Sequence, residues 1–532
     1  MNKENYNRRE FFKLSFIGLF ITPFLLQCKQ KAKKLLINLT GTNHILGHRL
    51  WSKNFPEVSG IKEVKYLIIG GGISGLSAAR QLISKGITDF ALLEMSDEIG
   101  GNASSGRNNI SSYPRGAHYL PLPDKENKEL LNFLYESNII INYKEGIPVY
   151  DEEQLSFAPH ERLFINNSWQ EGLIPKSTRS KDSELEFKRF LKEMDIFRNM
   201  KGADGKFFFA IPFSFISLDT TLQSLDKLTM KDWLIKNNFS AEELLWYVDY
   251  CCKDDYGLGI DSVSAWAGIH YFASRKNNAN LYATDAVLTW PEGNARLAAH
   301  LKKRCINHIY KNHLAYKVGL EKDKVHVHAF NSKNNQSTLI KSEKVIVSSP
   351  QFINKYLIKD RHVFTKNFNY SPWIVATFTV NSALHDSEFP LSWDNVIYKG
   401  KGLGYIYNQN QNLNQINDKK VISYYLCLSG PDLNLERKKL FNKTENYWRN
   451  YILNDLKKAH PDIENFIENM EIYRIGHGMI APVPGFIFGK EKKEASKTIN
   501  DKIYFAHTDL TGYSLFEEAF QQGINAANQL LK

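Results

Sequence analysis

Gly70, Gly72 and Gly75 stand in the spacing Gly-x-Gly-x-x-Gly, and a carboxylate, Glu94, follows 24 residues after the first of them. Four apolar residues, "YLII", precede the glycines and a helix-forming run, "SAARQL", follows them. A predicted strand, a turn and a predicted helix are the context this spacing requires. The first glycine then permits the tight turn, the second lets a pyrophosphate approach the backbone, and the third lets helix pack on strand. The first helical turn, with Ile73 and Ser74, aims unpaired N–H groups and the positive end of the helix dipole at the phosphates. Glu94 closes the next strand, "FALLEM", where a carboxylate accepts hydrogen bonds from both ribose hydroxyls and repels a 2′-phosphate. The implied chemistry is recognition of a dinucleotide, NAD or FAD, and not NADP.

Metal chemistry is not expected. His326 and His328 share one face of the strand "KVHVHAF", but they read as lacking an accompanying carboxylate or thiol. After Cys28 the chain has Cys251, Cys252, Cys305 and Cys427, with no Cys-x-x-Cys spacing, so neither a zinc ribbon nor a dithiol redox site is suggested. Cys251 and Cys252 read as small core residues on a helix.

At 532 residues the chain exceeds one ordinary core, so two interleaved domains are expected. Its 43% hydrophobic and 13% aromatic content is ample for burial. The net charge of +11 is dispersed, which argues against a nucleic-acid groove.

The first residues read as an address. "NRREFFK" places two arginines before an apolar run at residues 14–26, the pattern of a twin-arginine export signal. Thirteen residues are too few to span a bilayer as a helix, and Pro23 interrupts them. "LLQC" resembles a lipoprotein cleavage box with Cys28 as the lipid-bearing residue, although Gln27 replaces the usual small residue. The expected location is the periplasm or the outer face of a bacterial membrane, with membrane anchoring through a Cys28 lipid left open.

Further along, residues 125–285 read as mostly helical, with a strand region at "ERLFINNSW". Ser240 and Glu243 stand in capping-box spacing at a helix start. Strands are expected at "KVIVSSP", "WIVATFTV" and "VISYYLCLSG", and the tail reads as strand, turn and long amphipathic helix.

"EMSDEIGGN" and "PRGAHYL", following Glu94, resemble the flavin-containing amine oxidase superfamily, as do "IYFAHTD", "EEAFQQGINAAN", "TWPEGNARLAAHL" and "VIVSSP". These landmarks run from residue 66 to 527. The resemblance implies an α/β fold: a Rossmann-like, glutathione-reductase-like FAD-binding domain interleaved with an α+β substrate domain. With the export signal at 1–28 and a tether and arm at 29–61 read from the residues themselves, it implies FAD-binding segments at 62–125, 286–355 and 466–532, and substrate-domain segments at 126–285 and 356–465.

It implies FAD contacts from Gly100, Gly101, Asn102, Gly116 and Ala117, and from Asp509 to the ribityl chain. His118 and His477 fall near the flavin ring, as a base or as substrate-orienting residues. Trp246, Tyr247, Trp266, Tyr271, Phe272 and Trp373 are candidates for the substrate pocket. A cofactor loaded before export and never released suits FAD better than NAD.

The chain departs from the family at several places. "SPWIVATFTV" lacks the lysine that reaches flavin N5 through water, and Asn102 replaces an arginine, with Arg107 as a substitute. Tyr513 sits two residues too far from Glu517 for the aromatic-cage tyrosine, and "RIGHGMIAPVPG" lacks the tethering cysteine, so FAD is expected to be non-covalent. The expected function is an FAD-dependent oxidoreductase that dehydrogenates a C–N or C–C bond of a small or apolar substrate, passing electrons to oxygen or quinone. "GGNASSG" keeps a fumarate reductase or succinate dehydrogenase-like flavoprotein open, and the missing lysine keeps open a lipid-anchored, non-catalytic FAD-binding protein.

Overall fold

The computed structural model describes residues 36–532 except 177, 179, 277–285, 383, 385–388 and 413–418. The export signal and Cys28 lie outside the described residues.

A seven-stranded sheet is built around Val58–Ile69, which pairs in parallel with Phe90–Leu93 on one side and Gln336–Val347 on the other. Ile503–Phe505 adds in parallel to Gln336–Val347, while Lys324–Asn331 and His313–Glu321 extend it as an antiparallel meander. Leu67, Ile68, Ile69, Val345, Ile346 and Val347 are all buried, as a strand covered on both faces requires. One face packs beneath the helices Ile73–Ser84, Ala295–Cys305 and Phe516–Leu530.

The second sheet has eight strands in the order Leu36–Gly41, Ile467–Ile480, Tyr370–Asn381, Lys419–Cys427, Tyr405–Tyr407, Asp394–Ile397, Glu161–Ile165 and Ser168–Glu171. Helix Glu242–Tyr256 lays Tyr250 and Cys251 against Trp373, Val375 and Tyr425 of that sheet. This is the α/β fold expected: a Rossmann-like layer whose chain leaves and returns around a second domain.

Several segments lie elsewhere than expected. Strand Ile467–Ile480, assigned above to the last dinucleotide segment, pairs with Tyr370–Asn381 in the eight-stranded sheet. Helix Lys128–Glu136, assigned to the substrate domain, packs Leu130, Leu131, Phe133 and Leu134 with the helices of the Rossmann layer. Its apolar stripe meets the C-terminal helix, with Phe133 and Phe520 5.2 Å apart. The arm is ordered structure: strand Leu36–Gly41, then helix His44–Ser52.

Ser240 caps nothing. Its N–H and hydroxyl bond Glu186, and helix Glu242–Tyr256 starts at Ala241 without a side-chain cap. His326 does have a carboxylate partner, since its Nδ1 lies 2.9 Å from Glu321 Oε2 on the neighbouring strand. The four described cysteines are free and buried. Among the described residues no helix is long and apolar enough to cross a membrane.

Candidate active site

The glycine turn is closely packed at Gly70 and Gly75 and open at Gly72. Gly70 adopts φ +109°, a conformation that side chains rarely take, and a Cβ there would lie 3.0 Å from Ser348 Oγ. A Cβ on Gly75 would lie 1.9 Å from the Gly70 carbonyl oxygen, so helix Ile73–Ser84 starts flush against the strand. The C-terminal helix holds it there: Gly523 abuts the Ser74 carbonyl, and the Ser77 hydroxyl donates to the Phe520 carbonyl at 2.6 Å.

Gly72 differs, because nothing lies within 4 Å of where its Cβ would be. No side chain caps the helix, which leaves its N-terminal N–H groups and dipole facing that open space. Ile73 and Ser74, the first helical residues, are buried behind it.

Glu94 reaches this turn from the end of Phe90–Leu93. Its Oε2 accepts from Gly71 N at 2.8 Å and its Oε1 from Ser96 N at 2.7 Å. Burial pushes its pKa up, against the pull of these N–H bonds. Gly100 and Gly101, at φ +123° and +59°, carry the next loop back to the turn, where Gly100 N donates to the Gly71 carbonyl at 2.9 Å.

Asn102 joins both domains: its amide donates to the Gly478 carbonyl at 2.6 Å, and its carbonyl accepts from Ala117 N at 2.9 Å. Gly116 packs so tightly that a Cβ would meet the Asn102 carbonyl at 2.3 Å, while its own carbonyl accepts from Tyr425 OH at 2.9 Å. Open space before an uncapped helix, a carboxylate fixed beside it and glycine loops running to the second sheet form a cradle with the donor set an adenine dinucleotide needs. The residues present fit FAD.

Asp509 follows strand Ile503–Phe505 of the same sheet and is buried, with Oδ2 held by protein donors. Oδ2 accepts from Gln351 N at 2.7 Å and Tyr370 OH at 2.5 Å, and Oδ1 lies 2.9 Å from His507 Nδ1. Arg107 is exposed on a hairpin; Arg115 instead makes an ion pair, with Glu471 at 2.9 Å.

The structure does not bring His118 and His477 together. His477 stacks on Phe352 at 3.8 Å and meets Tyr370 edge-on. His118 stands 4.4 Å from the Tyr425 ring and 5.9 Å from that of Trp393, beside a narrow cleft lined by Trp290, Tyr407, Asn408 and Gln411. Burial pushes both imidazoles down to about 3, leaving them neutral and weakly basic at physiological pH. A base role does not suit either; an orienting role suits His118.

Beyond His118 lies a group of residues that the sequence did not single out. Asp254 and Asp255 at the end of helix Glu242–Tyr256, and Asp394 on the facing sheet, are half-buried and face internal space rather than bulk water. Tyr119 OH donates to Asp254 Oδ2 at 3.2 Å and Tyr250 OH to Asp394 Oδ2 at 3.4 Å. Glu161 adds its charge to the field at Asp394, and no described residue hydrogen-bonds the Asp255 carboxylate.

Burial pushes Asp254 up to about 6. Burial, and then the neighbouring Asp254, pushes Asp255 up to about 8. Trp246, Tyr247, Tyr271, Phe272, Trp373 and Trp393 wall this chamber, whereas Trp266 and Tyr513 pack in the other core. The one cation facing these acids from a described residue, Arg275, is already bound to Glu517 at 2.8 Å. Carboxylates crowded in this way lack the cations that would keep them ionised, so the chamber is suited to receive one.

Residues 68–136 match the NAD(P)-binding Rossmann-like domain family. Polyamine oxidase 7 of Oryza sativa subsp. japonica is 50% identical over 44 residues, 8% of this chain and 9% of that protein. Polyamine oxidase 1 of Zea mays is 33% identical over 103 residues, 17% of this chain and 20% of that protein. The matched stretches thus span a fifth or less of these relatives' own lengths. The solved structure of wild-type putrescine oxidase bound to putrescine superposes with a TM-score of 0.65 at 14% identity, covering 88% of this chain and 99% of that one. The fold is therefore shared along nearly the whole described chain.

Proposed function

We propose that this chain is an FAD-dependent oxidoreductase that oxidises the C–N bond of a small or apolar amine. One observation carries the substrate side of this reading: Asp254, Asp255 and Asp394 face an aromatic-walled chamber whose only described cation, Arg275, is held by Glu517. The glycine cradle beside Glu94 supports the cofactor side, as does the fold shared with putrescine oxidase.

Gly72, Ile73 and Ser74 would hold the pyrophosphate, Glu94 the ribose, and the loops of Gly100–Asn102 and Gly116–Ala117 the path toward the second sheet. When bound, FAD supplies the two-electron acceptor for a hydride from the substrate. The chain's residues do the rest. The carboxylates attract an ammonium group, and the faces of Tyr and Trp rings hold it. Because Tyr119 OH occupies Asp254 Oδ2, Oδ1 remains to accept the proton that the amine must lose before oxidation. The aromatic wall excludes water from the reacting carbon.

A dicarboxylate substrate fits poorly, since the chamber carries excess negative charge. The non-catalytic reading gains nothing from a cluster of enclosed carboxylates short of cations. Non-covalent binding, oxygen or quinone as acceptor, export by the twin-arginine route and lipid on Cys28 complete the proposal, supported by the sequence features described above.

The experiment is anaerobic titration of the holoprotein with a panel of mono- and diamines while the oxidised flavin band is followed. Bleaching by amines, and not by succinate or fumarate, is expected. Bleaching by succinate alone, or a protein that takes up no flavin, overturns the proposal.

A further inference from the structure

The helix His44–Ser52 is fixed in rotation by its inner face. Leu46 and Leu50 are buried in the core, Gly47 lies against Met95, and the Arg49 guanidinium covers the Phe330 ring at 4.1 Å. Its outer face is therefore set, and that face is apolar: Ile45 is 77% and Trp51 57% exposed, with His48 stacked on Trp51 at 3.9 Å. Leu36, where the preceding strand begins, is 72% exposed. Ile45 and Trp51, grouped on one fixed helix face, make that face a candidate contact surface.

The adjoining sequence indicates what covers it. Lys29, Lys31, Lys33 and Lys34 stand between Cys28 and Leu36. The lipid proposed on Cys28 would by itself make a weak hold that a second contact would complete. Lysines attract anionic headgroups, and tryptophan settles at the boundary between headgroup and acyl chain.

We propose that the outer face of helix His44–Ser52, with Ile45, His48 and Trp51, docks on an anionic lipid surface. This second contact orients the body of the protein against the bilayer, and it is independent of the redox reading.

The test uses the full chain with vesicles of phosphatidylglycerol and phosphatidylethanolamine. Because the apolar run 14–26, kept on the unprocessed full chain, can by itself bring it to a vesicle, the readout must be local. A polarity-sensitive fluorophore is placed on Cys28→Ser/Ile45→Cys and, as a control on another exposed side chain, on Cys28→Ser/Leu218→Cys; the four remaining cysteines are buried. The label at position 45 is expected to shift to the blue and to be quenched by spin-labelled lipid at least threefold more than the label at 218. Equal quenching at the two positions overturns the proposal.

Ile45→Glu/Trp51→Glu is expected to lower the vesicle-bound fraction severalfold with the melting temperature unchanged. An unchanged bound fraction overturns the proposal. So does a lipid-free dimer that this variant dissociates, which would assign the face to a second copy of the chain.

Discussion

The Cβ that Gly75 lacks would lie 1.9 Å from the carbonyl oxygen of Gly70, whereas a Cβ on Gly72 would meet no protein atom within 4 Å. The two glycines therefore serve different ends: one lets helix pack on strand, and the other keeps space in front of the helix. Gly75→Ala is expected to lower stability by about 2 kcal/mol or more through overpacking. Gly72, at φ −73° and ψ −178°, tolerates alanine without backbone strain. Gly72→Ala should leave the melting temperature of the flavin-free protein within about 2 °C while weakening FAD at least tenfold. Thermal unfolding and flavin-fluorescence titration check the pair. Equal effects of both substitutions on stability would remove the distinction.

What the sequence made legible was local. Gly70, Gly72, Gly75 and Glu94 lie within 25 residues, so strand, turn and helix bring them together without distant parts of the chain. The chamber is the opposite case. Glu161, Asp254, Asp255, Asp394 and Glu517 come from four regions, and each looks in sequence like a solvated charge. "KDDY" closes an apolar helix as many surface helices close; only the docking of that helix on the eight-stranded sheet turns both carboxylates inward. Ser240 shows the same limit in a cap, where a glutamate 54 residues away displaced the local partner.

Asp255 should cost stability as pH rises. Its folded pKa of about 8 exceeds the ordinary carboxyl value near 4, so between those limits the folded state binds the extra proton. Stability then falls from about pH 4 to pH 8 and levels off above. Asp255→Asn is expected to stabilise the protein by on the order of 2 kcal/mol at pH 7.5 and by much less at pH 5. Denaturant unfolding at both pH values measures this. A variant less stable than wild type at pH 7.5 would show that Asp255 is held by an interaction that the fold depends on.

The same carboxyls set the pH dependence of amine binding. With Asp254 titrating at about 6 and Asp255 at about 8, part of the chamber is protonated at neutral pH. A bound ammonium favours their ionised forms, so binding should release protons and KM should fall as pH rises from 6 to 8. Calorimetry at pH 7 in buffers of different ionisation enthalpy counts the protons released. Asp255→Asn is expected to release fewer and to raise KM severalfold with a smaller change in kcat. Proton uptake on binding would reverse the assignment.

Arg275 and Glu517 are unequal partners. Glu517 is 3% exposed and Arg275 33%, with 2.8 Å between Nη1 and Oε1. Removing the arginine strands a carboxylate with little access to water, whereas removing the carboxylate leaves a guanidinium that still reaches solvent. Arg275→Met is therefore expected to cost about 3 kcal/mol and Glu517→Gln clearly less, with the double variant recovering part of the first loss. A double-mutant cycle by chemical unfolding reads the coupling directly. The carboxylate freed by Arg275→Met adds negative charge to the chamber, so the surviving folded protein should bind diamines more tightly relative to monoamines. Unchanged selectivity would mean that Glu517, once released, faces away from the space that Asp254 and Asp255 line.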